Sequence, residues 1–552
     1  MTDGQGSELG PVADEALPVG TPEWLESTLN VTPGRDPLGF QTITTDRIIP
    51  RLVPGVLALS RRARYLSFYA FLMAHYRDQQ MAPSNNGLSE FMKRREFELS
   101  LAIQLCPNGC GHQPVSSVGR ERAGPLVNRG LTSFPRGESV QSYLGGYGLY
   151  YRSPMVDLGL VAPRGTPFTD TEGATTKVDV LWPGDERGAA LAAAFDEATK
   201  GTAYRAHYFS GTQEIPKDVL VEYSTRACLC RLPEHPAERD ALRIALLEPS
   251  TRQAPADVTR RREAFAFLLW LAERDERVVR YDGPFRAAIW DAHERGETAA
   301  SVTLRTTGAR WAALIAKEFG QEAISSIWQG VCRAGLTAMA AGPIASSELD
   351  ARLIAPLITP VTLTPFGSPV AVDAATDTQQ FATEVLDAAS THSLEAARAW
   401  AVGDGSALAG LGLLLLLEGR LRALGTPPPG WNEVALQGGE RQPGLAQLTT
   451  WLAEHLKSNP TVHDTMAWLV RAIVLWPHEA IAYSKLPELT FRFRWESGRL
   501  RFYDLRPERF GLTDIRRDPL GRLAADIGLL DWTPDGGVPT DIGRTFTADV
   551  LA

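Results

Sequence analysis

The chain has 552 residues, 44% of them apolar, with 56 Lys plus Arg against 65 Asp plus Glu and a formal charge of −9. Length allows three or four domains with sizeable cores and excludes wholesale disorder. The acidic balance excludes a protein that coats nucleic acid over its whole surface, so any anion site must be a local patch. Five cysteines in so long a chain do not make a disulfide framework. The start, MTDGQGSELGPVADEALPVG, lacks the basic end and apolar run of a signal peptide. A cytoplasmic protein with no membrane partner is expected.

In chain order, residues 1–20 are acidic and rich in small residues, and read as a disordered tail. Residues 57–80 repeat apolar positions with helical period, through Leu59, Tyr65, Phe68, Tyr69, Leu72 and Tyr76. Ser60 could cap this helix or sit in its first turn. Arg61, Arg62 and Arg64 stand at its start, where cations oppose the helix dipole. Internal carboxylates such as Asp46 or Glu90 are the expected compensation, with a bound anion as the alternative. Arg64, beside Tyr65, reads as an interior bridging arginine. A second amphipathic helix is predicted over 88–105, through KRREFELSLAIQL.

Next come Cys106, Cys110 and His112, a C-x3-C-x-H group; Cys228 and Cys230 form a separate C-x-C group. Tetrahedral zinc needs four ligands, usually in tight C-x2-C knuckles, and neither group has that spacing alone. Buried free thiols are the default. A zinc site would require the two groups to combine, with His112, His207 or His235 filling in. No other cofactor is expected. Ser116, Ser117 and Gly119 ahead of Arg120 and Arg122 could form a small basic anion site.

The aromatic segment 140–161 ends in Asp157-Leu158-Gly159-Leu160; short strands and a helix over 187–200 follow. This order suits a winged helix-turn-helix. The C-terminal residues 520–551 echo it, with Asp526-Ile527-Gly528-Leu529 and a wing hairpin at WTPDGGVPT. Between these modules, Trp311, Leu314, Ile315, Ile324, Ile327, Trp328 and Val331 mark an apolar helical stripe. The run LAGLGLLLLLEG (408–419) is about half of what a bilayer needs and reads as a buried helix. GTPPPGWN (425–432) is a linker or sharp turn.

The segment LTFRFRWESGRLRFYDL (489–505) alternates aromatic and cationic positions. A strand points successive side chains to opposite faces, so a hairpin here has an apolar face and a face carrying Arg492, Arg494, Arg499 and Arg501. With Arg516, Arg517 and Arg522 beside the C-terminal winged helix, these are the candidate contacts to a DNA phosphate backbone, since the planar guanidinium suits phosphate.

Enzyme signatures are sparse. There is no G-x4-G-K-[ST] loop and no G-x-S-x-G elbow, and His478-Glu479 lacks the second histidine of H-E-x-x-H. No catalytic residues are assigned.

Several stretches together resemble a family of uncharacterised bacterial proteins associated with phage-defence gene clusters. They are RDPLGFQTITTDRIIPRLVPGVLALSRRARYLSFYAFLM, KRREFELSLA, VGRERAG and GYGLYYRSPMVDLGLV, with Ala63-Arg64-Tyr65, Arg94-Arg95-Glu96 and Gly119-Arg120 as the matching positions. The resemblance covers mainly residues 35–200. It departs in the insertions around Cys106–His112 and in the C-terminal third. It implies a setting beside helicases or nucleases and carries over no catalytic residue.

The expected architecture is therefore mainly α with small β-hairpins, two winged-helix-like modules flanking a helical middle. The expected divisions are 1–20, 21–250, 251–424 and 425–552. The expected function is a non-catalytic DNA-binding or scaffolding subunit of a multi-gene anti-phage system, partnered by a helicase or nuclease. A protein–protein adaptor without nucleic-acid binding and a divergent metal-dependent nuclease are the alternatives.

Overall fold

A computed structural model describes residues 35–81, 83–112, 117–167, 175–486, 488, 490–503 and 509–552. The expected N-terminal tail lies outside the described residues, as do Ser116 of the proposed anion nest and the side chain of His112. The chain is mainly helical, with small antiparallel sheets of two or three short strands. Among the described residues, no helix is long and apolar enough to cross a membrane.

Two compact units emerge, each assembled from separate stretches of chain. One contains the described residues up to Asp46 together with Ala312–Thr513; the other contains Arg47–Trp311 with Asp514–Ala552. The predicted apolar stripe serves two cores. Trp311 packs against Phe267 and Phe285 in the second unit, whereas Trp328 packs against His478 and Phe493 in the first.

In the first unit, Ala407–Leu424 is the expected buried helix, closed off before GTPPPGWN. The 489–505 hairpin forms as Phe493–Glu496 paired with Arg499–Phe502, and Ile344–Ala345 adds a third strand. Ser497 and Gly498 hold φ of 49° and 74°. Two consecutive positive φ values make the primed turn that matches strand twist. Phe491, Phe493, Leu500 and Phe502 are buried, so the predicted alternation defines an apolar underside. Gly335 lies where a Cβ would meet the Phe502 ring at 2.3 Å. Gly335→Ala is expected to cost about 1–3 kcal/mol by overpacking, read as a lower urea midpoint with unchanged slope.

His478 is wholly buried in this unit. Its Nδ1 lies 2.8 Å from the Pro37 carbonyl, and its Nε2 accepts the Arg492 backbone N–H at 3.0 Å. These partners fix the proton on Nδ1 of a neutral ring. Burial pushes its pKa down to about 3. The unfolded chain takes up this proton near pH 6.5, the folded chain only near 3, so stability declines as pH falls through that window. At pH 5 the loss from this group is about 2 kcal/mol. Urea titrations at pH 7.5 and 5 should show it in the native chain and lack it in His478→Gln.

In the second unit, the first long helix runs Arg64–Asp78, shorter at its start than the periodicity suggests. Leu59 is exposed and lies ahead of it. Ser60 does not cap the helix; its hydroxyl donates to the Tyr150 carbonyl. The Ala63 N–H donates instead to the Asp526 carboxylate at 2.8 Å, so a residue far along the chain supplies the cap. Asn85–Gln104 is the second predicted helix and Glu186–Thr199 the third, the latter capped by Asp185. Around it, Arg152–Asp157 precedes an antiparallel pair, Val161–Ala162 with Val180–Leu181. The C-terminal stretch repeats the order: helix Arg517–Asp526, hairpin Leu530–Trp532 with Gly537–Pro539, then helix Asp541–Leu551.

Candidate metal centre

Two cysteine pairs that are 118 or more residues apart in sequence come together in the second unit. The Sγ atoms of Cys106, Cys110, Cys228 and Cys230 all lie within 4.8 Å of one another, three of the residues buried and Cys230 at the rim. The group could hold a metal ion.

Local structure explains each position. Helix Asn85–Gln104 ends at Leu105, which leaves Cys106 at its exit. Pro107-Asn108-Gly109 then turns the chain, with Gly109 at φ 69° donating its N–H to the Cys106 carbonyl at 2.9 Å. A 3-10 turn starting at Cys110 points the second thiol back. On the other side, helix Lys217–Ala227 ends at Cys228, which is extended (φ −60°, ψ 144°), and a 3-10 turn begins at Leu229. That change of direction turns a C-x-C pair toward one point.

The Cys106 and Cys230 sulfurs are 3.7 Å apart. A tetrahedron with metal–sulfur bonds of about 2.3 Å has edges of about 3.8 Å. The Asn108 amide donates to the Cys230 sulfur at 3.5 Å. Hydrogen bonds from Cys228, and then from Cys110, Cys106 and Asn108, hold the Cys230 thiol down at about 5, against its burial. The Cys110 thiol is pushed up to about 12, first by burial and then by its bond to Cys230. Cys228 is raised as well, mainly through that same partnership. Hydrogen bonds thus converge on the Cys230 sulfur from its three neighbours, where a bound cation would take their place. With all four positions supplied by protein sulfur, such a centre is closed: it braces structure and offers no position for substrate.

The basic cluster at 61–64 anchors this centre. Arg64 Nη1 donates to the Cys228 carbonyl at 2.5 Å, and its Nε and Nη2 make a fork to Glu238 at 3.1 and 2.8 Å. Both side chains are fully buried. Arg62 donates to the Leu229 carbonyl at 3.2 Å and forks onto Asp526 at 3.1 and 3.0 Å. Arg61 pairs with Asp518 at 3.3 Å. The compensating carboxylates are Asp518, Asp526 and Glu238, not the Asp46 or Glu90 expected from local sequence.

The other candidate residues fall into separate settings. Arg492, Arg494, Arg499 and Arg501 belong to the first unit; Arg516, Arg517 and Arg522 belong to the second. Arg494 lies 3.5 Å from Glu479, and Arg501 lies 3.4 Å from Glu496. The Arg492 guanidinium donates to the Thr490 carbonyl, and Arg499 is exposed. Arg516 is buried and bonds the Asp514 carbonyl at 3.3 Å. Arg517 pairs with Asp282 at 2.6 Å, and Arg522 pairs with Asp518 at 2.9 Å. Arg120 and Arg122 stand in the first turn of helix Arg120–Asn128, half-buried and exposed respectively. The hydroxyl of Ser117 is bonded to that of Ser100 at 2.7 Å.

His235, a possible fill-in ligand, has its Nε2 at 3.2 Å from the Arg226 carbonyl and is not among the four clustered ligands. Sequence spacing alone did not join the cysteine groups. The signal available was the Pro-Asn-Gly turn between Cys106 and Cys110, which folds a C-x3-C pair as tightly as a knuckle. Searches against protein-family models, curated proteins and solved structures found no match to this chain.

Proposed function

We propose that this chain is a non-catalytic scaffolding subunit of a multi-gene bacterial anti-phage defence system, and that its four-cysteine cluster binds zinc as a structural brace. The observation that carries this reading is the closed, largely buried four-sulfur geometry. Soft thiolates in a tetrahedral set favour zinc among the available divalent ions and leave no open position for hydrolysis. A metal-dependent nuclease would need hard oxygen ligands and an open site, so the cluster lends that alternative no support.

The winged-helix-like modules belong to the same reading. The order helix, hairpin, helix at 152–199 and again at 517–551 supports them. Such modules serve protein partners as readily as DNA. Four of the seven candidate arginines already face carboxylates of their own unit, which favours scaffolding over phosphate binding. The exposed Arg499 and Arg501 keep DNA contact as a second reading.

Co-purification of the native chain with the products of its neighbouring genes, from nuclease-treated extract, tests the first reading. Stable complexes free of DNA are expected. Fluorescence anisotropy with a duplex at 50 and 200 mM salt tests the second. Steeply salt-dependent affinity that disappears in Arg492/Arg494/Arg499/Arg501→Ala would move the assignment to DNA binding.

A further inference from the structure

Helix Asn85–Gln104 carries a basic cluster that neither the metal centre nor the scaffold reading uses. Arg94 and Arg95 stand four and three residues ahead of Glu98, so both reach the same carboxylate from one face of the helix. A third arginine joins them from a segment that runs against this helix. Gly137 passes so close that a Cβ there would meet the Phe97 ring at 2.9 Å, and the Ser139 N–H donates to the Lys93 carbonyl at 3.1 Å. This approach seats Arg136 on Glu98.

The carboxylate is saturated. Glu98 is fully buried and accepts from Arg95 Nη1 at both oxygens, 3.0 and 2.9 Å away, from Arg136 Nη1 and from the Tyr204 hydroxyl. Arg136 donates as well to the Gln213 and Tyr208 carbonyls at 2.8 and 2.7 Å. The other two arginines are less well served. Among the described residues, Arg94 donates no hydrogen bond and stands 3.6 Å from Glu98, and Arg95 donates through Nη1 alone. The Nε of each is buried without a partner, whereas buried polar groups ordinarily have one.

Three guanidiniums against one carboxylate leave two positive charges in excess. Adjacent ions cancel among themselves. Lys93 faces Glu138 at 3.7 Å, and Arg205, which shares the Phe209 ring with Arg95, pairs with Asp196 at 2.7 Å. Burial draws the Arg94 pKa below the ordinary arginine value, and Arg95 and Arg136 add to the fall against the pull of Glu98. Excess charge taken out of water is costly until an anion balances it.

Access and charge choose the anion. Side-chain exposure is 32% at Arg94, 6% at Arg95 and 9% at Arg136, so one guanidinium meets solvent and two stand behind it. A continuous phosphodiester backbone, with one charge per phosphate, touches Arg94 at most. A terminal phosphoryl group is small, carries about −1.5 to −2 charges at pH 7, and presents three oxygens to guanidinium forks.

We propose that Arg94, backed by Arg95 and Arg136, binds a phosphate dianion, either free phosphate or the phosphoryl end of a small phosphomonoester. The site stands roughly three helical turns before Cys106 and does not depend on the scaffold reading.

Isothermal titration of the full chain tests this, in phosphate-free buffer at pH 7.5 and constant ionic strength, with inorganic phosphate, adenosine 5′-monophosphate and chloride as probes. One phosphate per chain is expected, with affinity at least tenfold weaker in Arg94→Gln and unchanged in Arg122→Gln. Tighter binding of the monophosphate than of phosphate assigns the ligand to a phosphomonoester; otherwise it is free phosphate. Melting separates a binding arginine from a structural one. Without phosphate, Arg94→Gln should melt no lower than the native chain, since the change relieves repulsion. It should also lose the rise in melting temperature that phosphate gives the native chain. Binding of neither phosphate probe, an equal effect of chloride, or loss of binding in Arg122→Gln instead overturns the proposal. So does an Arg94→Gln chain that melts below the native one without phosphate, which would make Arg94 a strut for Glu98.

Discussion

Chain purified under reducing conditions is expected to carry one zinc per molecule by elemental analysis, and to lose it in Cys228→Ser. With free zinc at 1,000 Kd, the ion stabilises the state that binds it by about 4 kcal/mol. For a unit of this size that corresponds to a fall in melting temperature of about 6 °C on chelation. Cys228 should matter most, because it is fully buried and its carbonyl is bonded to Arg64. Cys332, a buried cysteine outside the cluster, is the control: Cys332→Ser should leave zinc content unchanged. Native protein without stoichiometric metal, or melting indifferent to chelation, would remove the structural brace from the proposal.

The second large effect is expected at Arg64 and Glu238. Their forked ion pair has no solvent exposure on either side, and the Ser67 hydroxyl adds a further bond to Glu238 at 2.6 Å. Removing one partner strands the other charge in the interior, at a cost of about 3–5 kcal/mol. Arg64→Ala and Glu238→Ala should each fall in that range by urea denaturation. The double variant Arg64→Met/Glu238→Leu should recover most of the loss, since no charge is then left unpaired. The singles should differ in one respect. Arg64→Ala also frees the Cys228 carbonyl, so it should weaken zinc retention in a chelator competition, whereas Glu238→Ala should weaken it less. Equal effects on zinc would mean that the arginine does not order the C-x-C turn.

Local pattern carried the secondary structure far. The helix over 85–104, the buried helix at 407–424 and the hairpin at 493–502 were all legible, because each is set by period and turn chemistry within twenty residues. The Ser-Gly turn and the aromatic-basic alternation of the hairpin needed no distant information. The start of the Arg64 helix was not legible. Its capping carboxylate is Asp526, and no window around residue 60 contains it. Reading Ser60 as a cap or first-turn residue followed a sound local rule that a tertiary contact displaced. The cysteines were legible in part: a site was expected only if the two groups combined, and the fold combines them without a histidine, but with more than a hundred residues between the pairs spacing could not say so. The arginine-rich window 492–522 crosses a unit boundary between Thr513 and Asp514, which local pattern does not mark.

Arg62 and Asp526 lie 464 positions apart. At synthesis speeds of about 5–20 residues per second, the arginine is made roughly 25–90 s before its carboxylate exists. Throughout that interval the start of the Arg64 helix lacks its cap and Arg62 lacks its carboxylate, although the cysteines, Arg64 and Glu238 are already made. A nascent chain of this kind invites a caretaker, and loss of a few dozen residues at the far end would be felt first at the beginning.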